Sequence, residues 1–271
     1  MKKKRKSVLQ VYKETRRSSL LVYLIIRGLV LFCLVRQVIN FDLENVFICL
    51  LTLLLLTLPM FVQKNFKIEL PNTLEIIILI FIFAAEILGE INSFYQHIPI
   101  WDTILHTLNG FLCAGLGFSL ITLLNNNMDN FNLSPLFVVL VSFCFSMTVG
   151  VCWEFFEYGV DKILGFDMQK DVIVNKIATV YLDDEKSNKV ININNIDHTV
   201  IYDKEKKELA TINNGYLDIG LNDTMKDLIV NFIGAVVFNF MGFFYLRNRR
   251  ERNILDNFII RSRKDDVKIG I

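Results

Sequence analysis

Six long apolar stretches, at residues 20–40, 43–62, 73–93, 103–125, 134–159 and 225–246, constrain this chain more than any other feature of its sequence. A hydrocarbon layer roughly 30 Å thick is crossed by about 20 mostly apolar helical residues, and each stretch reaches that length. Within each one, apolar residues run all round the helix instead of along a single stripe, which a water-facing amphipathic helix does not tolerate. A hydrophobic fraction of 53% with a formal net charge of only +1, and a mean hydropathy of +0.42, do not suit an ordinary soluble domain. The expected architecture is an all-α polytopic membrane helix bundle of about six transmembrane helices.

The first stretch is span-length and ends in Arg36, Gln37 and Asn40, where a signal peptide would show a small-residue cleavage site. It reads as a retained helix. Cys33, Cys49, Cys113, Cys144 and Cys152 all fall inside spans and lack the paired spacing of a thiolate metal site.

Charge sets the expected orientation. Residues 1–19 carry Lys2, Lys3, Lys4, Arg5, Lys6, Lys13, Arg16 and Arg17, and the tail 247–271 begins with Arg247, Arg249, Arg250 and Arg252. By the positive-inside rule both ends are cytoplasmic, which requires an even number of spans. The 63–72 connection, with Lys64 and Lys67, then also lies inside. Attraction to anionic lipid headgroups suffices to explain the basic ends, and no folded basic surface points to nucleic acid. Residues 160–224, between the fifth span of the 20–159 segment and the last span at 225–246, form one long hydrophilic insertion on the extracytoplasmic side. Its β-type runs Lys176–Leu182, Lys189–Ile193, Thr199–Tyr202 and Leu209–Ile212 are separated by Asp, Asn, Lys and Ser clusters, as in consecutive hairpins, and predict a small antiparallel cap.

Charged residues within spans carry the functional information, since each costs about 2.5–3.5 kcal/mol to insert unless it is paired, hydrated or bound. The third span brings Glu86 and Glu90 near its outer end, and the fourth enters with Asp102, His106 and Asn109. The fifth leaves with Glu154, Glu157 and Asp161, and the sixth enters with Asp223, Asp227 and Asn231. At about 100° per residue each set occupies one arc of its helix. Alternating direction puts the four polar stripes at one depth, where they can converge into a single pocket. Helix caps at Asp102 and Asp223, headgroup positions for Glu90 and Asp161, and interhelical amide bonds at Asn109 and Asn231 are the structural alternatives. Several carboxylates with one His suit a divalent ion. Arg36 is a candidate clamp for a phosphate, or a side chain snorkelling to the headgroups. Arg27, deeper in the first span, has no evident role.

The motifs Trp101-Asp102-Thr103-Ile104-Leu105-His106-Thr107-Leu108-Asn109-Gly110, Trp153-Glu154-Phe155-Phe156-Glu157-Tyr158 and Asp223-Thr224-Met225-Lys226-Asp227-Leu228-Ile229-Val230-Asn231-Phe232-Ile233-Gly234-Ala235 together resemble the YjdF-like family of bacterial inner-membrane proteins. The order of an Asp–His helix, an acidic helix and a closing Asp-x-x-x-Asn-x-x-Gly-Ala helix is more distantly similar to VanZ-like membrane proteins. The first resemblance implies a multi-pass location in the bacterial cytoplasmic membrane and no particular activity. The second points by analogy to the cell envelope and glycopeptide susceptibility. The 160–224 insertion departs from the shorter family pattern.

Three functions fit these residues. An envelope enzyme acting on a lipid or lipid-linked phosphate would use His106, Glu154 and Asp227 as catalytic groups and Arg36, Asn109 and Asn231 for substrate. Glu86, Asp102, Glu157 and Asp223 would hold its divalent metal ion. A non-enzymatic structural or regulatory membrane protein would use the same polar residues to fix helix packing. A cation-binding protein or transporter would need polar residues continuing to the cytoplasmic face, where Ser142, Ser146, Thr148 and Asn239 are few. Membrane lipids are the expected partners in every case.

Overall fold

A computed structural model describes residues 8–66, 68–127, 133–247, 255 and 260–262. Lys2 to Lys6, Lys67, Arg249, Arg250 and Arg252 lie outside the described residues, as do the side chains of Lys13, Arg16 and Arg17. The protein is mostly helical: α1 Val8–Ile39, α2 Leu43–Leu55, α3 Leu58–Phe66, α4 Asn72–Phe83, a π-helix Ala84–Ile91, the single turn α5 Phe94–His97, α6 Trp101–Asn127, α7 Pro135–Leu164 and α8 Leu221–Arg247. Among the described residues, five segments are long and apolar enough to cross a membrane: Ser18–Ile39, Leu43–Phe66, Trp101–Asn125, Pro135–Leu164 and Leu221–Arg247.

Two expected spans are interrupted. The Leu43–Phe66 segment breaks between α2 and α3, where the Thr57 hydroxyl donates to the Leu54 carbonyl and so competes with the helix ladder. The stretch expected at 73–93 is twelve residues of α4 followed by eight of π-helix. Neither piece alone has the length of a span.

The distribution of side chains is that of a bundle in lipid. Leu24, Phe32, Leu54, Phe155 and Phe240 are exposed, while Glu86, Ser142, Ser146, Asn231 and Asn239 are buried. With no water in the hydrocarbon layer, polar groups gain by facing neighbouring helices.

The chain divides into two compact units, Met1–Val151 with Leu228–Ile271, and Cys152–Asp227. In the first unit, Ile26 and Val30 of α1 pack with Cys49 and Leu56, with Leu79 and Ile82 of α4, and with Ile87 of the π-helix. A second cluster joins Ala114 and Phe118 of α6 to Val138 of α7 and to Ala235 and Phe238 of α8. The described residues of the segment after α8, read from sequence only as a basic tail, contribute to this unit. Leu255 joins the second cluster, and Ile260 joins Ile68, Leu70, Leu74 and Leu112 in a third. β1 (Ile68–Glu69) pairs antiparallel with the two-residue strand Arg261–Ser262.

The second unit contains the last turns of α7, the first of α8, and six strands: β2 Val172–Val174, β3 Ile177–Thr179, β4 Ile191–Ile193, β5 His198–Tyr202, β6 Glu208–Asn213 and β7 Tyr216–Asp218; Arg261–Ser262 is β8. β3–β4 and β5–β6 are antiparallel pairs at the expected apolar runs. The arrangement is not one of consecutive hairpins alone, because β2 pairs with β7 and closes the insertion at its base. That pairing joins distant three-residue segments, too short for alternation to reveal. Carboxylates fix the base further. Asp161 accepts from the Met168 and Gln169 amides at 2.6 and 2.9 Å, Asp223 accepts from the Lys170 amide at 2.8 Å, and the Gln169 amide group donates to the Thr224 hydroxyl.

Candidate functional site

Asp102 lies in the first turn of α6 and His106 one turn later on the same face. The spacing brings His106 Nε2 to 3.3 Å from Asp102 Oδ1, with only 13% and 17% of the two side chains exposed. Asp227 of α8 is buried. Asp102, His106 and Asp227 each offer one ligand atom, and these atoms lie within 4.8 Å of one another. Donors bound at roughly 2.0–2.2 Å to one ion sit at most about 4.4 Å apart, so a spread of up to 4.8 Å brings one nitrogen and two carboxylate oxygens close to the separation a single divalent ion needs.

Small residues and amides set the register of α6 against the part of α8 that follows Asp227. A Cβ on Gly110 would meet the Asn231 carbonyl oxygen at 2.0 Å, and one on Gly234 would meet the Thr107 carbonyl oxygen at 1.9 Å. Only glycine allows so close a crossing. Beside it the Asn109 amide donates to Asn231 Oδ1 at 3.0 Å, and Asn231 Nδ2 donates to Met147 Sδ at 3.6 Å. Ser142 and Ser146 of α7 donate to the Ala114 and Gly110 carbonyls at 2.7 and 2.8 Å. His106 lies three residues before Asn109 and Asp227 four before Asn231, so the lock sits one turn below the acidic group on both helices.

The remaining sequence-derived candidates have varied surroundings. Glu154 and Glu157 are buried on α7. Glu157 accepts from the Trp153 indole N–H at 2.8 Å. Asp223 carries the backbone contact to Lys170 described above. Glu86 is 3% exposed on the π-helix, and its Oε2 has no hydrogen-bond partner among the described residues. Glu86, Glu154, Glu157 and Asp223 are not members of the three-residue group. Asn109 and Asn231 are bonded to each other, and Arg36 is exposed on the last turn of α1. Arg27 finds its partner one turn back in the Tyr23 hydroxyl, with its guanidinium 5.7 Å from the Tyr23 ring centroid.

Asp218, passed over in the sequence reading, accepts from the Asn222 amide at 2.7 Å just before α8. An acceptor four residues ahead of a helical amide was the available signal. Trp101, edge-on to Phe94 at 5.0 Å, keeps its indole nitrogen buried without a partner among the described residues.

A family model described as "Predicted membrane protein (DUF2238)" matches residues 21–248. An uncharacterized protein of Thermotoga maritima is 27% identical over 106 residues, covering 39% of this chain and 53% of that relative. The chain thus spans about half the length of the curated relative it matches. No solved structure matches.

Proposed function

Because the chain belongs to the DUF2238 family of predicted membrane proteins, we propose that it is a six-span membrane protein whose Asp102, His106 and Asp227 bind a divalent ion near the outer leaflet. On this reading the bound ion serves chemistry on a lipid or lipid-linked phosphate. We take the YjdF-like resemblance to concern this same family. The observation that carries the proposal is the convergence of three ligand atoms within 4.8 Å. One imidazole and two carboxylates suit a borderline ion such as Zn²⁺ or Mn²⁺ and leave coordination positions for a substrate oxygen. Such an ion polarises a phosphoryl oxygen and activates water. His106 and Asp227 move from acid–base duty to holding the ion, and Glu154 is left as the acid–base group.

Topology enters through the β1–β8 pair. Strands that pair share one side of the membrane, so an even number of crossings separates Ile68 from Arg261. α6, α7 and α8 supply three, and the α4–π segment supplies the fourth at about 30 Å. With Ser18–Ile39 and Leu43–Phe66 this supports six spans and both ends on one side, which the basic ends assign to the cytoplasm.

A purely structural role is the second reading, favoured by the Asn109–Asn231 and serine–carbonyl bonds between helices. Those serine bonds also disfavour transport, because the hydroxyls of Ser142 and Ser146 are engaged in packing. Calorimetric titration of the purified protein in nanodiscs with Zn²⁺ or Mn²⁺ separates the readings. One ion should bind per chain, and Asp102→Asn, His106→Ala and Asp227→Asn should each weaken it by on the order of tenfold or more. Glu86→Gln should leave it unchanged. Undiminished binding in all three variants sinks the site.

A further inference from the structure

We infer that the β2–β7 ribbon of the insertion rests on the lipid surface, with Ile173, Leu217 and Ile219 as its lipid-facing contacts. The register sets Ile173 opposite Leu217, and Ile219 follows directly after β7. These three side chains are 51%, 37% and 73% exposed, while Asp218, on the opposite face, is buried. Ile173, Leu217 and Ile219 therefore form an uncovered apolar patch beside the exposed Asp171, while the other face carries the buried Asp218 and, opposite it, Val172 at 39% exposure.

Depth identifies what covers it. Ile219 lies two residues before α8, so its Cα is at most about 7 Å from that of Leu221. The chain entering β2 is tied down at the same place, by Asp223 on the Lys170 amide and Thr224 on the Gln169 side chain. Both strands thus leave from the first turn of a membrane helix. Ile163 and Leu164 at the end of α7 and Leu221 at the start of α8 are also exposed, so exposed apolar side chains lie both on the helix ends and on the strands that leave them. A patch this close to the helix mouth meets headgroups and upper acyl chains, where interfacial segments bury their apolar face by about 5–10 Å. Tyr181 and Leu209 are also exposed, at 89% and 61%, but lie far along the chain from either helix end, and they serve as the comparison.

A photo-crosslinking amino acid, p-benzoyl-phenylalanine, placed singly at Ile173, Leu217, Ile219, Tyr181 or Leu209 of the full chain in native membranes tests this. Irradiation should add the mass of one phospholipid at the first three positions and not at the last two. Adducts to another protein chain at Ile173, Leu217 and Ile219, absence of lipid adducts there, or equal lipid labelling at Tyr181 and Leu209 would each overturn the inference. The result is independent of ion binding.

Discussion

Single side chains in this protein act mostly through contacts that leave no room for change. A methyl group at Gly110 or Gly234 would fall at 2.0 or 1.9 Å from a backbone oxygen, while nothing lies within 4 Å of one built on Gly159 or Gly28. Gly110→Ala and Gly234→Ala should therefore lower thermal stability in detergent, by about 1–3 kcal/mol of overpacking. Gly159→Ala and Gly28→Ala should be neutral or stabilising by about 0.5–1 kcal/mol. Equal melting temperatures for both classes would refute the close α6–α8 crossing. In the insertion, Asp183 accepts from the Lys189 amide at 3.1 Å and from the Ser187 hydroxyl at 3.0 Å. The Lys189 amide bond is the main reason its carboxyl is held below the ordinary value of 3.8. With the folded value below the unfolded one, this contribution to stability is present above the unfolded pKa and is lost as pH falls through the folded one. Hydrogen exchange of the 183–189 turn should show protection at neutral pH that Asp183→Asn removes. Protection unchanged in the variant would deny the carboxylate its role.

Whole elements are joined by polar bonds at a few depths. The Asn109–Asn231 bond, the two serine–carbonyl bonds and the glycine crossing hold α6, α7 and α8 in one register. Interhelical hydrogen bonds in membranes contribute about 0.6 kcal/mol on average and up to about 1.7. A double-mutant cycle of Asn109→Ala and Asn231→Ala, read by reversible unfolding, should give a coupling energy in that range. A coupling of zero would remove the lock that sets the register of the acidic groups above it. The π-helix is the contrasting element. It places Glu86, with one carboxyl oxygen lacking a hydrogen bond among the described residues, in a segment whose geometry departs from the α-helix that apolar periodicity predicts, and π segments of this kind cluster at functional sites.

At the level of the whole molecule, Leu255 and Ile260, beyond α8, fasten distant parts of the first unit. Leu255 is 1% and Ile260 3% exposed, in two different clusters. Leu255→Ala and Ile260→Ala should each cost about 2–5 kcal/mol by the general cost of emptying a packed site, measured as loss of folded protein on heating. Little change in both would show that the tail is not docked. The paired strands also commit the chain to an even number of crossings after β1. A labelling reagent that cannot cross the membrane should therefore reach a cysteine introduced at Tyr181 from one side, and tags at either end only from the other. Labelling of Tyr181→Cys and a terminal tag from the same side would contradict six spans.

The sequence by itself determined the membrane class, because span-length runs of apolar residues have no other stable environment, and it located the polar stripes and the β-prone runs of the insertion. It also brought Asp102 and His106 onto one face, since that depends only on helical period. Which stripes meet was decided by the tertiary structure. Asp227 joins Asp102 and His106, whereas Asp223, only one turn away, is drawn to the Lys170 amide, and Asn109 and Asn231 satisfy each other. The π-helix at Ala84–Ile91, the β2–β7 closure and the burial of Leu255 and Ile260 were likewise invisible, because each depends on partners far along the chain or on backbone hydrogen bonds that periodicity does not encode, and the break at Thr57 rests on a local hydroxyl–carbonyl bond that apolar patterning does not register. Helical period places residues on a face, but only packing of one helix against another brings faces together.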